Sequence, residues 1–301
     1  MTVSLTAGKD DDGRRLDRVL RKALPDVPLS ALHRLMRRGD ILVNGGTYGH
    51  SSPVHAGDLI IVHYKKTAES TGNLCKQEQR PLHRVADQKA FEVLFENDAL
   101  LIVNKNAGLV THGANSLETF VNTYLESKLP PSLSFKPGPL HRLDRETSGV
   151  IVFSKSIEGA RYFSKGLREG LFRKIYLTRV CGIIQHEVLW EDHLERDHFQ
   201  KKTFARDRAN AQSRRAKTYV TPLEISHATT LVKVEIQTGR THQIRASAAA
   251  HGHPLKGDKK YGGGSGKFFL HAWMLEFPDG NQLDIPSCIT APPPPFFNIH
   301  D

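Results

Sequence analysis

Short apolar segments with the length of β-strands are the dominant pattern in the chain from residue 91 onward. They fall at residues 91–95, 100–104, 149–154, 175–181, 230–237 and 268–277. Helical spacing of apolar residues is confined to three stretches near 116–128, 157–169 and 240–251. Because the strands do not alternate regularly with helices, the pattern predicts an α+β domain built on a mixed, mostly antiparallel sheet.

Residues 14–66 predict a separate, small α/β domain. The stretches "RRLDRVLRKAL" and "ALHRLMRRG" carry apolar residues at helical spacing, and we expect Ser30 to cap the second helix and Gly39 to end it. Two strand-like segments follow, and "DILVNGG", the first, leads into an Asn-Gly turn. The outer faces of both helices carry basic side chains whose helical spacing favours binding to nucleic-acid phosphates: Arg18, Arg34, Arg37 and Arg38.

The overall charge also favours a polyanionic partner. The chain has 42 Lys and Arg against 32 Asp and Glu, which gives +10 with neutral His and indicates nucleic acid or an anionic membrane surface. No apolar stretch approaches the roughly 18 residues of a membrane-spanning helix, and the first residues have no apolar core of a signal peptide. The three scattered cysteines are typical of free thiols in a reducing compartment. These features predict a cytoplasmic protein that binds no membrane.

The polar stretch 67–90 has no periodicity and predicts a linker, after which residues 91–301 form the larger domain. Several motifs that would indicate other chemistry are incomplete. "YGGGSGKFF" lacks the first glycine and the Ser or Thr of a phosphate-binding loop, so it predicts a flexible loop. His251 and His253 have no third ligand at metal-binding spacing, and no serine-hydrolase elbow is present. The sequence therefore predicts no metal site.

The stretch "HRLDRETSGVIVFSK" places Asp144 between Arg142 and Arg145, ahead of an apolar strand. Guanidinium groups this close favour the ionised carboxylate, which suits a nucleophile or a base better than an acid. On this stretch alone, a salt bridge at the strand entrance explains the pattern equally well. Gly149 permits a tight turn into the strand, which would fix the acid at a rigid edge.

A second stretch, "VEIQTGRTHQIRASAAAHGHPLKGDKKYG", pairs another strand and turn with a basic, amide-rich helix start. So many polar and cationic groups are unfavourable to order without an anionic partner. They favour a catalytic or RNA-binding reading of both stretches, and the residues concerned are Arg240, His242, Gln243 and Arg245.

Together these stretches resemble the RluA family of RNA pseudouridine synthases. "HRLDRETSGVIVFSKS" resembles the segment around the family's catalytic aspartate, and "RKIYLTRVCG" is similar to its Lys-x-Tyr segment. "QTGRTHQIRASAAAHGHPLKGDKKYG" with "LHAWMLEFP" resembles the last motif, and "LLIVNKNAGLVTH" the first, with Asn106 where the family usually has Pro. Residues 14–66 are similar to the small S4-like RNA-binding domain, named after a ribosomal protein, that many members carry.

The resemblance implies a pseudouridine synthase fold and isomerisation of uridine to pseudouridine in RNA, with no cofactor and no metal. It assigns Asp144 as the catalytic carboxylate, without deciding whether that group attacks the sugar or removes a proton. It implies that Tyr176 stacks on the target uracil and that Arg240 pairs with Asp144. The basic and polar residues around them are expected to contact RNA: Arg142, Arg145, His242, Gln243 and Arg245.

The S4-like domain favours large-subunit ribosomal RNA over transfer RNA as the substrate, and no obligate protein partner is expected. Two other classes of function are compatible with parts of the sequence. A non-catalytic ribosome-assembly factor could retain the fold, and a nucleoside hydrolase could break the same glycosidic bond. The presence of Asp144, Tyr176 and Arg240 favours the enzyme over the assembly factor, and the single acid in an arginine-rich setting disfavours the hydrolase.

Overall fold

The computed structural model describes residues 1–64, 90–130, 132–206 and 208–295. The chain divides into two compact units, Met1–Gln88 with Tyr124–Pro137, and Lys89–Thr123 with Gly138–Asp301. The linker predicted at 67–90 lies outside the described residues except for residue 90. Among the described helices, none combines the length and apolar character required to cross a membrane.

The small unit combines two helices with a four-stranded sheet in the order β1-β6-β3-β4 and a two-stranded ladder of β2 with β5. Apolar side chains from both helices and from the strands form one buried core. Its elements are β1 (Thr2–Thr6), a 3-10 turn (Lys9–Asp11), β2 (Arg14–Arg15), α1 (Leu16–Ala23), α2 (Leu29–Arg38), β3 (Ile41–Val43), β4 (Gly46–Thr47), β5 (Pro53–Val54) and β6 (Leu59–His63).

Both helices lie where the spacing predicted them, with one correction at a helix start. α2 begins at Leu29 with Pro28 at the N-cap, so Ser30 lies inside the first turn and does not cap the helix. Gly39 ends α2 in the left-handed conformation, as expected. Asn44 and Gly45 both have positive φ, which makes the predicted hairpin turn between β3 and β4.

The small unit extends beyond the predicted range 14–66 in two ways. β1 pairs with β6 along its whole length, so the unit begins before residue 14. The buried carboxylate of Asp11 also accepts hydrogen bonds from the backbone N–H groups of Leu133 (2.9 Å) and Ser134 (2.9 Å) and from the Ser132 hydroxyl (3.2 Å). Arg14 donates to the Ser134 carbonyl (3.2 Å). Residues far apart in sequence thereby fix the segment 132–134 to this unit.

The large unit is built on one mixed sheet with the path β13-β12-β14-β15-β11-β16-β10-β8-β7, to which β17 and β9 add at β16 and β10. Its strands are β7 (Phe91–Glu96), β8 (Leu100–Lys105), β9 (Gly138–Pro139), β10 (Ser148–Ser154), β11 (Arg173–Cys181), β12 (Val188–Asp197), β13 (Lys202–Arg206), β14 (Arg214–Ser226), β15 (Thr229–Ile236), β16 (Leu270–Glu276) and β17 (Cys288–Thr290). β10 and β16 run parallel, and the other described pairings in this sheet are antiparallel. The predicted α+β class is confirmed.

Two helices, α4 (Ile157–Glu169) and α5 (Gln243–Ala250), cover the two halves of this sheet, and a third helix, α3 (Leu117–Glu126), begins among the residues of this unit. Phe163 of α4 packs with Phe172, Phe277 and the apolar side chains of β8 and β10. Ile244 and Ala248 of α5 pack against the apolar side chains of β11, β14 and β15. Two separate cores therefore hold the halves, and the parallel strands β10 and β16 lie between them in the strand order.

Gly149 allows β10 to begin beside β16. Its φ is +109°, and a Cβ placed there would come within 2.1 Å of the Ala272 carbonyl oxygen. A side chain at this position would push the two strands apart. The glycine predicted to permit a turn into β10 therefore also permits a close backbone approach.

Candidate active site

Asp144 lies in the loop between β9 and β10, and neighbouring backbone contacts hold that loop. The Asp144 carbonyl accepts a hydrogen bond from the Thr147 N–H (3.1 Å). The ammonium group of the fully buried Lys105 donates to the carbonyls of Asn106 (2.9 Å), Leu109 (2.7 Å) and Arg145 (3.1 Å). Burial lowers the pKa of Lys105 to about 8, while the negative charges of Glu146 and Asp144 oppose that change. Lys105 thus connects the end of β8 to Arg145, the residue next to Asp144.

The strand register brings Tyr176 to the same place. Ala272 of β16 pairs with Gly149 of β10 on one side and with Tyr176 of β11 on the other. The loop that precedes β10 and the tyrosine therefore line one pocket, with about 540 Å³ of empty space, part of it open to solvent. Burial raises the pKa of Tyr176, and the Asp144 carboxylate raises it further, so the phenol stays neutral.

The carboxylate of Asp144 is held by Arg245 and His242. Arg245 Nη1 lies 3.2 Å from Asp144 Oδ2, and His242 Nε2 lies 3.5 Å from the same oxygen. Arg240, which the sequence predicted as the partner of Asp144, lines the same pocket from an exposed loop position. The predicted pairing is therefore wrong, because Arg240 lies before the start of α5 whereas Arg245 lies in its first turn. No described residue donates a hydrogen bond to Asp144 Oδ1, so this oxygen is available to a ligand.

Arg245 is itself fixed by an acid that the sequence reading did not single out. Its Nε and Nη2 donate to the two oxygens of Asp258 at 2.7 Å and 2.8 Å. The Asp258 side chain is 1% exposed. The guanidinium carbon also lies 5.0 Å from the Tyr261 ring centroid and 5.1 Å from that of Phe268. These contacts leave one edge of the guanidinium facing Asp144.

The glycine-rich stretch predicted as a flexible loop instead packs closely around this acid. A Cβ at Gly263 would lie 1.7 Å from the Leu255 carbonyl oxygen and 2.9 Å from the Asp258 nitrogen. The Gly263 N–H donates to the Asp258 carbonyl at 2.9 Å. The glycines therefore allow backbone segments to meet, and this contact holds Asp258 beneath Arg245.

Hydrogen bonds fix the tautomer of His242. The Arg196 guanidinium, which can only donate, lies 3.5 Å from His242 Nδ1, so Nδ1 is the acceptor nitrogen. The Tyr261 hydroxyl, which accepts from the Thr203 N–H (2.8 Å), then donates to Nδ1 at 2.8 Å. Nε2 consequently carries the ring hydrogen, and it is Nε2 that faces Asp144. Burial lowers the pKa of His242 to about 4, against the effect of the Asp144 charge and together with nearby cations. A neutral imidazole therefore contacts the carboxylate at neutral pH.

The side chain of Gln243 is not accessible to RNA. Its side chain is buried, its amide nitrogen donates to the Lys217 carbonyl (3.0 Å), and its oxygen accepts from the Thr238 hydroxyl (2.7 Å) and the Arg240 N–H (3.2 Å). The prediction that Gln243 contacts RNA is therefore wrong. The residue closes the loop between β15 and α5 and so positions the residues on either side of it.

The remaining predicted residues divide by exposure. Arg142 is exposed and lines the pocket, and Arg145 is exposed with Nε bonded to the Gly108 carbonyl (3.0 Å). Glu146 pairs loosely with Arg145 at 3.7 Å and lines a cleft together with Asp144. His242 and Arg245, also expected to contact RNA, are mostly buried against Asp144. In the small unit, all four predicted arginines of α1 and α2 are exposed, as is Arg21 of α1. The four are Arg18, Arg34, Arg37 and Arg38, the last paired with Asp40.

Comparisons with known proteins agree with this geometry. The sequence profile of the RNA pseudouridylate synthase family matches residues 99–250. A protein of Haemophilus influenzae named ribosomal large subunit pseudouridine synthase C is 30% identical over 289 residues, which cover 91% of this chain and 86% of that protein. A Neisseria meningitidis protein named ribosomal large subunit pseudouridine synthase D is 32% identical over 264 residues, 86% of this chain and 67% of that protein.

A solved structure shows the same fold. Human RNA pseudouridylate synthase domain containing 4 aligns with a TM-score of 0.57 at 20% identity, covering 68% of this chain and 89% of that one. The family profile, the relatives and the fold agree with one another. The chain is therefore a member of the RluA family of RNA pseudouridine synthases, which are isomerases.

Proposed function

We propose that this protein converts uridine to pseudouridine in large-subunit ribosomal RNA, with Asp144 as the catalytic carboxylate. The observation that carries the proposal is the environment of Asp144. One oxygen is held by Arg245 and a neutral His242, and the carboxylate lines a pocket together with the ring of Tyr176. The names of the relatives, which refer to the ribosomal large subunit, supply the substrate class.

The reaction rearranges bonds within one nucleotide. The bond between the ribose anomeric carbon and uracil N1 breaks, the ring turns, and uracil C5 forms a bond to the same carbon. The hydrogen on C5 leaves and N1 gains one, so no atom is gained or lost overall. Asp144 Oδ1, which no described residue occupies, is the atom positioned to attack the sugar or to accept a proton from it.

Tyr176 contributes to binding of the extruded base. A uridine in folded RNA must leave its stack to enter the pocket, at a cost of a few kcal/mol. Stacking on an aromatic ring offsets about 1 to 3 kcal/mol of that cost. The raised pKa of Tyr176 keeps its ring uncharged beside the Asp144 carboxylate, which avoids a second negative charge in the pocket.

The pocket fits an isomerase better than a paired-carboxylate hydrolase. Of the described side chains that line it, Asp144 is the one acid. Asp258 is buried behind Arg245, and both of its carboxylate oxygens accept hydrogen bonds from that guanidinium. Hydrolysis of a glycosidic bond by two carboxylates requires both to face the bond. Glu146 lines the adjoining cleft, but it is exposed, lies 3.7 Å from Arg145 and does not line the pocket that contains Tyr176.

We also propose that the small unit is an S4-like domain that binds RNA through the exposed arginines of α1 and α2. Arg18, Arg34 and Arg37 are exposed on the two helices, whereas Arg15 is held by Asp17 at 2.7 Å. Each phosphate contact that is removed should reduce the slope of log K against log salt by about 0.7 to 0.9. The variant Arg34→Gln/Arg37→Gln should show this smaller slope, and Arg15→Gln serves as the control with an internally paired arginine.

The substrate is tested by release of tritium from C5. RNA transcribed with [5-3H]uridine loses tritium only where C5 becomes bonded to carbon. We expect wild-type protein to release tritium from large-subunit ribosomal RNA, and Asp144→Asn to release none. Release from a transfer RNA pool alone would assign the other substrate class, and release from neither RNA would contradict the proposed activity.

A further inference from the structure

The hairpin between β12 and β13 presents an aromatic side chain to solvent at its tip. Phe199 is 97% exposed, the highest value among the exposed large hydrophobic residues of the described chain. Single exposed hydrophobic residues are common and carry no meaning by themselves. This residue differs because of the way the hairpin is attached to the active site and because of the charges around it.

The strand ends next to the tip of the hairpin are hydrogen-bonded to residues of the active site. Thr203 donates its N–H to the Tyr261 hydroxyl (2.8 Å) and its hydroxyl to the Thr241 carbonyl (2.9 Å). Arg196, opposite Thr203 in the ladder, reaches within 3.5 Å of His242 Nδ1. The hairpin is therefore anchored to the group that contacts Asp144.

Hydrogen bonds support the backbone of the tip. Asp197 Oδ1 accepts from the Gln200 N–H at 2.8 Å, and Lys201 adopts the left-handed conformation with φ of +50°. Lys260 Nζ donates to the carbonyls of Gln200 (3.2 Å) and Lys201 (2.7 Å). Phe199 is thus presented on a turn that is already ordered, so a ligand loses little conformational freedom of the protein when it binds there.

Positive charge converges around this turn. The pKa of Lys260 is lowered by burial and then by the positive charges of Arg196, Arg245, Lys202 and Lys201. Lys260 also lines the cleft that contains Asp144 and Arg142. Asp197 is the one acid of the turn, against Lys201 and Lys202 in the turn and Lys260 bonded to it, so the charges sum to a surplus of positive charge. Cations beside an exposed ring match the chemistry of a single-stranded nucleic acid, whose phosphates are anionic and whose bases have flat apolar faces.

We propose that Phe199 stacks on an unpaired RNA base near the target uridine, while Lys201, Lys202 and Lys260 neutralise the adjoining phosphates. This inference rests on the proposed function for the identity of the RNA. It assigns a binding contact that the catalytic residues do not require, because Phe199 makes no contact with the pocket side chains in the described structure.

The test measures RNA affinity in the Asp144→Asn background, where no turnover takes place. The probe is an in vitro transcript of large-subunit ribosomal RNA. Phe199→Ala should weaken binding by about fivefold to about 150-fold, the range for loss of one base–aromatic stack, and leave the salt slope unchanged. Phe199→Trp should bind within twofold of the parent. Leu223→Ala removes another exposed apolar side chain, 51% exposed on β14, and should bind like the parent.

A photoreactive benzoylphenylalanine at position 199 locates the contact, and we expect a cross-link to a nucleotide close to the modified uridine. Affinity of Phe199→Ala within twofold of the parent, or equal losses in Phe199→Ala and Leu223→Ala, would overturn the proposal. Failure of the activity is separately visible. If wild-type protein formed no pseudouridine but Phe199→Ala still weakened RNA binding, the proposed function would be contradicted and the Phe199 contact supported. If wild-type protein formed pseudouridine but Phe199→Ala bound RNA as tightly as the parent, the proposed function would be supported and the Phe199 contact contradicted.

Discussion

The substitution Arg245→Lys tests the arrangement that holds Asp144, because it keeps the positive charge and removes the planar fork. Arg245 donates two hydrogen bonds to Asp258, at 2.7 Å and 2.8 Å, and one to Asp144 at 3.2 Å. A single ammonium group cannot serve both acids. Hydrogen bonds to charged groups contribute about 1.5 to 3 kcal/mol each, so loss of two of the three should lower the unfolding free energy by about 3 kcal/mol or more.

The same substitution should slow the chemical step. Asp144 loses the contact that orients its Oδ2, and a misplacement of about 1 Å at a reacting group reduces rate by about 100-fold. Denaturant unfolding measures the first effect, and single-turnover pseudouridine formation at saturating protein measures the second. Arg240→Lys is the matched control, and we expect it to change the unfolding free energy by no more than about 0.5 kcal/mol and to act on RNA affinity. If Arg245→Lys behaved like wild type while Arg240→Lys slowed the saturated reaction, the assignment of Arg245 would be refuted.

Three further substitutions test the fold around the site. Gly149→Ala should prevent stable folding or lower the melting temperature sharply, because its Cβ would come within 2.1 Å of the facing carbonyl oxygen of β16. Thermal unfolding that matched wild type would contradict this. Asp11→Ala should raise hydrogen exchange at the backbone amides of 132–134, because it removes their hydrogen-bond acceptor. The control is Asp12→Ala, which removes the exposed neighbouring carboxylate and should leave this exchange unchanged. Burial lowers the pKa of His141 from 6.5 to about 4, so between these pH values the unfolded state binds a proton that the folded state does not. The unfolding free energy therefore falls as the pH falls from 6.5 to 4. The variant His141→Gln should lose less unfolding free energy over this range, and a pH dependence identical to that of wild type would refute the assignment.

The sequence predicted the strands that form the centre of the large sheet, because their apolar residues are uninterrupted. β8 and β10 are buried along almost their whole length and therefore read clearly as strands. The ladder of β12, β13 and β14 was not predicted. In β12, buried Trp190 and Leu194 are separated by exposed or charged residues, so the apolar signal is weak although the alternation is present.

The sequence also predicted which motifs meet at the site but not which atoms pair. Asp144 and Tyr176 line one pocket, as the resemblance implied. The choice between Arg240 and Arg245 depends on where α5 begins, and helix ends are the least certain feature of a periodicity pattern. The sequence pattern did not indicate the role of Asp258, because its position beside Arg245 depends on close backbone contacts at glycines.

Contacts over long sequence distances explain the remaining differences. The carboxylate of Asp11 binds residues more than 120 positions away, and no local pattern around an aspartate in "GKDDDG" indicates that partner. The tautomer of His242 likewise depends on Arg196 and Tyr261, which come from two other parts of the chain. In both cases the side chain was visible in the sequence, and its function within the structure was set by tertiary packing.

The most direct test of the central claim maps pseudouridine by carbodiimide labelling and reverse-transcription stops. Unmodified ribosomal and transfer RNA are incubated in parallel with wild-type protein and with Asp144→Asn, whose amide keeps the shape of the side chain but lacks its charge. We predict stops at defined uridines of the large-subunit RNA with wild type, and none with Asp144→Asn at equal RNA occupancy. Stops of equal intensity with both proteins would show that the carboxylate held by Arg245 and His242 does not carry the reaction.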